Sequence, residues 1–206
     1  MKIELPNSWE GVTVKQFQAL QKILAEKGDE YATNVAIISI MSGTPMDEIE
    51  TYSLKTYAKC MNTLSFLTEQ LVGEVQKAVE FGGVRYDVIT DVYKLNGGQY
   101  ITLMHLMKDP DKVIDQLHEI MAVFLVPKKR TWYGWKKQPY NADKHKEIAE
   151  QMLQAPMTIV QPLSAFFLTS YLKSAKHILE SSVKKAEKVK RQAEKKLRRL
   201  KQNTDG

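Results

Sequence analysis

From Leu163 to Thr204 the chain contains neither Gly nor Pro, and its apolar residues return at every third or fourth position: Leu168, Leu172, Ala175, Leu179, Val183, Ala186, Val189, Ala193, Leu197 and Leu200. That spacing keeps one stripe on one side of a helix. The residues between are mostly Lys, Glu, Ala and Arg, all strong helix formers. A helix of about 40 residues would run roughly 60 Å, longer than a body of this size easily covers, so part of it is expected to project. Beyond Val183 the stripe is narrow, which suits a coiled-coil seam or a docking groove better than a globular core.

The same segment carries the charge. Between Lys173 and Lys201 stand 12 Lys/Arg against 3 Glu, a surplus of nine, whereas the whole chain sums to 30 − 24 = +6. Everything outside that segment therefore sums to 18 − 21 = −3. A basic arm joined to a slightly acidic body points to a partner. Three readings of the arm compete. It is a solvated helix with its stripe laid on its own body, or a seam that pairs with another protein or a second copy, or a phosphate-binding element. Glu180, Glu187 and Glu194 recur every seven residues, as flanks of a seam would. Lys190, Arg191, Arg198 and Arg199 supply the cation density that phosphate affinity needs, although nothing in the arm aims at base edges.

The body reads as a series of short helices. A first helix carries Phe17, Leu20, Ile23 and Leu24, and a more apolar one spans 31–41. Thr44 and Pro45 look like a cap and first turn. Leu54 to Val75 shows near-heptad spacing. Ile3 and Leu5 alternate before Pro6 as a short strand would, and residues 79–88 alternate around Gly82–Gly83, the signature of a two-residue hairpin turn. A second helix pair follows, broken at Asp109–Pro110–Asp111 and ended by Pro127. Gln16, Phe17, Leu20, Ile37 and Ile40 recur as Gln99, Tyr100, Leu103, Ile120 and Val123, each 99 − 16 = 83 residues later. That pattern fits a duplicated helix pair, though amphipathic pairs resemble one another in general.

A second basic feature lies between Pro127 and Tyr140, where Lys128, Lys129 and Arg130 precede Trp132, Tyr133 and Trp135 in what reads as a loop. Arg and Lys interleaved with aromatic rings can grip a single strand by stacking and charge. The same residues dominate protein interfaces. The plainer alternative puts the rings at the core edge with the lysines in water.

Catalytic and metal chemistry find no pattern. The four histidines, His105, His118, His145 and His177, have no His or Cys three or four residues on, and Cys60 is the only cysteine. The expectation is no catalytic residue, no cofactor and no metal. Asp109 and Asp111 are better helix caps than cation ligands. His118 and Glu119 are better a boundary pair than an acid/base dyad. One cysteine fits a reducing compartment. The first ten residues lack the apolar core of a signal peptide, and no apolar run is long enough to span a bilayer. No membrane role is expected.

The stretch Leu5-Pro-Asn-Ser-Trp-Glu-Gly-Val-Thr-Val-Lys-Gln-Phe17 resembles small helical proteins encoded with the tail and virion-assembly genes of tailed bacteriophages, especially those of gut Bacteroidetes hosts. Similar features recur at Gly83-Val-Arg-Tyr86, Lys94-Leu-Asn-Gly-Gly-Gln-Tyr-Ile101, His118 to Pro127 and Ala165-Phe-Phe167. The resemblance spans most of residues 3–172 and implies a tail-assembly chaperone or a minor structural component of the tail or neck. Such a protein binds other phage proteins, acts in the host cytoplasm during assembly or stays in the virion, and catalyses nothing. The arm lies outside the resemblance.

Together these readings predict a mainly α fold with a minor β part. A helical body over 1–172 holds one small antiparallel hairpin near 79–88, and a basic helical extension follows over 173–206. The expected partner-binding residues are Trp132, Tyr133, Trp135, Leu179, Val183, Ala186, Leu197 and Leu200. Expected phosphate contacts, in the nucleic-acid alternative, are Lys128, Lys129, Arg130, Lys190, Arg191, Arg198 and Arg199.

Overall fold

The computed structural model describes residues 3–26, 28–69 and 73–164. The chain divides into two units, Met1–Phe166 and Phe167–Gly206, and the described residues all fall in the first. The long C-terminal helix expected from the stripe lies outside the described residues.

The described fold is α+β, not mainly α with a single hairpin. Four strands form one antiparallel sheet in chain order: β1 (Ala78–Phe81), β2 (Val84–Val88), β3 (Leu125–Thr131) and β4 (Gly134–Lys137). Gly82 and Gly83 turn β1 into β2 with φ of 58° and 71°, a left-handed geometry that glycine adopts without steric cost. The added half of the sheet is the segment that reads as a loop in sequence. Its pattern is hidden because the strand outruns the core: Val126, Lys128 and Arg130 face one way, Pro127 and Lys129 the other, and few of these are apolar. Pro127 looks like a helix terminator, yet it pairs with Tyr86 inside the sheet. Its carbonyl accepts from Gln138 N (2.9 Å), so the missing N–H points to the β4 side, just past the end of β4. The proline therefore removes no bond to β2. Ile3 and Leu5, expected to form a short strand, lie outside the sheet.

Among the described residues the α-helices are α1 (Val14–Ala25), α2 (Glu30–Ser42), α3 (Met46–Glu50), α4 (Leu54–Thr63), α5 (Gly97–Leu106), α6 (Leu117–Val123) and α7 (Ala142–Met152). Residues 157–164 are again helical. Side-chain caps explain most starts: Thr13, Asp29, Ser53, Asn96 and Asn141 each accept a bond from a first-turn N–H. Pro45, not Thr44, stands at the cap of α3, and its helix lasts only five residues. The helix expected over 54–75 stops at Thr63 and tightens into a 3-10 turn over Leu64–Thr68, which buries Phe66 edge-on to Trp9 at 5.7 Å.

One face of the sheet meets the helices. Val79, Phe81, Tyr86 and Leu125 are buried there, with Phe81 and Tyr86 stacked at 4.6 Å. Tyr86 Oη donates to Gln151 Oε1 on α7 (2.7 Å), and α7 packs against α6 beside it. The start of α1 hangs from the end of α7. Val14 N donates to Ala155 O, Lys15 N to Leu153 O and Met157 N to Val12 O, all within 3.0 Å. Leu20, Ile38, Met41, Phe124, Met152 and Met157 fill the space between.

Candidate interaction surface

Residues directly opposite across an antiparallel ladder share a face. The register aligns Glu80, Arg85, Lys128 and Lys137 in one row across all four strands. Arg130 and Trp135 form the next row toward the tip of the second hairpin. These lie on the face opposite the buried Val79, Phe81 and Tyr86, so the uncovered side of the sheet carries Arg85, Lys128, Arg130, Trp135 and Lys137 together, with Glu80 and Asp87 as its acids. Lys129 and Lys136 point the other way at the same tip. Trp132 and Tyr133 make the turn, and Gly134 closes it with φ of 130° while Thr131 Oγ1 donates to Gly134 O (2.6 Å).

The expected aromatic-basic group is thus a β-hairpin. Trp132 is 94% exposed, Tyr133 68% and Trp135 46%. Trp132 and Tyr133 meet edge to face at 5.2 Å, and the Arg85 guanidinium sits 5.7 Å from the centre of the Trp135 ring. No ring plugs the core edge. The structure brings together Lys128, Lys129, Arg130, Trp132, Tyr133 and Trp135. Leu179, Val183, Ala186, Lys190, Arg191, Leu197, Arg198, Arg199 and Leu200 lie outside the described residues.

Asp87 holds the base of the hairpin. Its carboxylate accepts from Lys128 Nζ at 2.6 Å and from Lys137 Nζ at 3.1 Å, tying β2, β3 and β4 together. Burial pushes the Asp87 carboxyl up, but the hydrogen bonds and charges of Lys128 and Lys137 outweigh it and hold it below its ordinary value. Arg85 and Asp87 escaped notice in the sequence. Their signal was the alternation with Tyr86 and Val88, which places both on the outer face once β2 is accepted as a strand.

Beside that base a cleft of about 640 Å³ opens between the end of β2, the start of α5 and residues 137–141. Lys94, Lys137 and Lys144 line it against one acid, Asp87, with Asn96 and Tyr140 adding polar edges. The hairpin and the cleft meet at Asp87 and Lys137, with the aromatic rings at the far end of the hairpin.

Elsewhere the reactive side chains are held in structural roles. Cys60 is buried, and burial pushes its thiol up against a smaller opposing effect of the Lys59 charge. His118 Nδ1 lies 3.2 Å from Gln18 Nε2 and its Nε2 is 3.9 Å from Glu119, a loose boundary pair. Asp109 caps the turn at Pro110 and pairs with Lys112 at 2.9 Å. Among the described residues no group of three or more His, Cys, Asp or Glu is placed to hold a metal ion, and no helix is long and apolar enough to cross a membrane. The chain matches no protein-family model, no curated protein and no solved structure.

Proposed function

We propose that the chain is a non-catalytic binding protein of phage virion morphogenesis, a tail-assembly chaperone or a minor component of the tail or neck. It holds another phage protein on the hairpin Lys128–Lys137, in the host cytoplasm while particles are built. The observation that carries this reading is the exposure of Trp132, Tyr133 and Trp135 on a hairpin whose base is fixed by Asp87. Three large rings in water are an unusual expense for a small domain, and Trp, Tyr and Arg are the residues that anchor interfaces. Trp135, held on a paired strand, loses little conformational freedom on binding. The surrounding cations suit a partner with an acidic surface. The phage setting rests on the resemblance over residues 3–172.

The test is pairwise binding between the full chain and each tail and neck protein encoded beside it. With Trp132→Ala and Trp135→Ala combined, affinity for the true partner falls at least about a hundredfold, as expected for two hot-spot rings, while circular dichroism stays unchanged. Undiminished binding by a folded double variant removes the hairpin from the interface.

A second reading has its own support: Arg85, Lys128, Lys129, Arg130, Lys136 and Lys137 cluster around the same rings. This is the arrangement that stacks and neutralises a single nucleic-acid strand. It requires binding to a thymidine oligonucleotide at low salt that weakens by orders of magnitude toward moderate salt. Absence of binding at low salt eliminates it.

A further inference from the structure

The two halves of the body repeat one construction. In α1 the cap Thr13 and Gln16 form a reciprocal capping box, and Gln16 Nε2 also donates to Ile40 O (3.3 Å) and Met41 O (3.1 Å) near the end of α2. In α5 the cap Asn96 and Gln99 form the same box, and Gln99 Nε2 donates to Val123 O (2.7 Å) at the end of α6. Both clamps span 24 residues. Thr13 and Asn96, Gln16 and Gln99, Ile40 and Val123 are each separated by 99 − 16 = 83 positions. A shared hydrophobic pattern arises easily by chance; the same cap and the same glutamine-to-carbonyl clamp at one offset do not.

Equivalent faces of the two modules are covered differently. On α1, Gln18 Nε2 donates to Ile114 O (2.6 Å) and Asp115 O (2.7 Å), and Lys22 Nζ pairs with Asp115 at 3.0 Å. The entry to α6 thus covers that side of α1. The positions equivalent to Gln18 and Lys22 are Ile101 and His105 on α5, where Tyr100, Ile101 and Met104 form an exposed strip and Ile101 is 70% exposed. The positions equivalent to Ile114 and Asp115 are Tyr31 and Ala32, and Tyr31 is 51% exposed at the start of α2. A two-fold relation between the modules would lay Ile101 on Tyr31 within one molecule. Ile101 is exposed and the Tyr31 ring lies 5.7 Å from that of Tyr57 on α4, so the two do not meet and the relation is head-to-tail. One interface is made inside the chain and its counterpart is left unmade at the two ends.

We propose that a second copy of the chain completes it, with the α5 strip of one molecule docking on the start of α2 of the next. The ion pair does not repeat, since the equivalents of Lys22 and Asp115 are His105 and Ala32; the contact between copies is instead an apolar one of Tyr100, Ile101 and Met104 with Tyr31. A heterologous contact of this kind closes into a ring or grows into a filament. It uses neither the hairpin nor the basic C-terminal segment, and so stands apart from the function proposed above.

The full-length protein tests it in two ways. Ile101→Cys and Tyr31→Cys are made separately, leaving the buried Cys60 in place, and oxidised alone and mixed. The mixture should give a disulfide-linked dimer at least tenfold more abundantly than either variant alone. Light scattering should show a mass that rises with concentration, and Ile101→Asp should weaken that association at least about tenfold, since it takes a buried apolar side chain out of the contact. The exposed position of Ile101 lets circular dichroism confirm that this variant folds. Three results overturn the proposal: a monomer at every concentration up to about 100 μM, coupling of Ile101→Cys to itself in preference to Tyr31→Cys, or association untouched by Ile101→Asp.

Discussion

Asp87 is one carboxylate between two lysines, and it decides whether the second hairpin stands. Lys128 and Asp87 are each about four-fifths covered on the side chain, while Lys137 is mostly in water. Lys137 therefore adds little, as exposed pairs do, and the Lys128 contact matters most. Replacing Asp87 by Asn leaves a largely covered ammonium without its counter-charge, a loss of about 1–3 kcal/mol. Urea unfolding of Asp87→Asn should show that loss, and amide exchange over residues 134–137 should quicken more than in α7. A hairpin as protected as in the parent protein would place its support elsewhere. The sign with pH follows from the lowered folded pKa. The contribution is present above the unfolded carboxyl value of about 3.9 and is lost as pH falls through the folded one. The sequence showed the aromatic rings and lysines plainly; it did not show Asp87, because a carboxylate between two lysines distant in the chain becomes meaningful only when three strands are laid side by side.

At the scale of elements, each module is pinned by one glutamine that both closes a cap and reaches the end of the following helix. Gln99 is buried, so removing it orphans the Val123 carbonyl and opens the Asn96 cap together. Gln99→Ala should cost about 2–3 kcal/mol, from a buried hydrogen bond and a cap. Gln16→Ala, at a half-buried site with longer bonds, should cost about half as much. The ratio of the two in urea unfolding checks the argument, and equal losses would count against burial as the deciding factor. Helix bodies were legible from their apolar period, as in α1 and α5, whereas the Asn96 cap was not, because Gly97 and Gly98 after it are poor helix formers. The Gly82–Gly83 hairpin was legible because its alternation is half apolar. The β3–β4 hairpin was not: its outer residues are Lys, Arg and Trp, its inner ones near the tip are Lys129 and Lys136, and a strand that projects beyond the core loses the alternation by which strands are recognised.

For the molecule as a whole, pH should act through the α6–α7 layer. His145 is buried on α7 with neither ring nitrogen hydrogen-bonded, its ring 6.2 Å from that of Tyr140. Burial lowers its pKa, against a smaller upward pull from Glu119 and with a small further lowering from His118, whose own pKa burial also depresses. A histidine held neutral in the fold binds its proton more readily when unfolded. Stability is therefore whole above the unfolded value of about 6.5 and declines as pH falls from there toward the folded value. The melting temperature should drop between pH 7 and pH 5.5, and His145→Phe should flatten much of that slope, with His118 supplying the remainder. A slope unchanged by His145→Phe would assign the effect to other groups. What the sequence by itself determined was local: where most helices run, where Gly82–Gly83 turns, and that the two helix pairs share an offset. These are properties of residues within a few turns of one another, set by dihedral preference, capping and period. Only the tertiary structure decided that the aromatic-basic segment is half of a four-stranded sheet, that Asp87 ties its base, and that one module's face is covered while its twin's is bare. Each of those depends on contacts between segments far apart in the chain, and pairing across such distances is settled by which surfaces the whole fold buries.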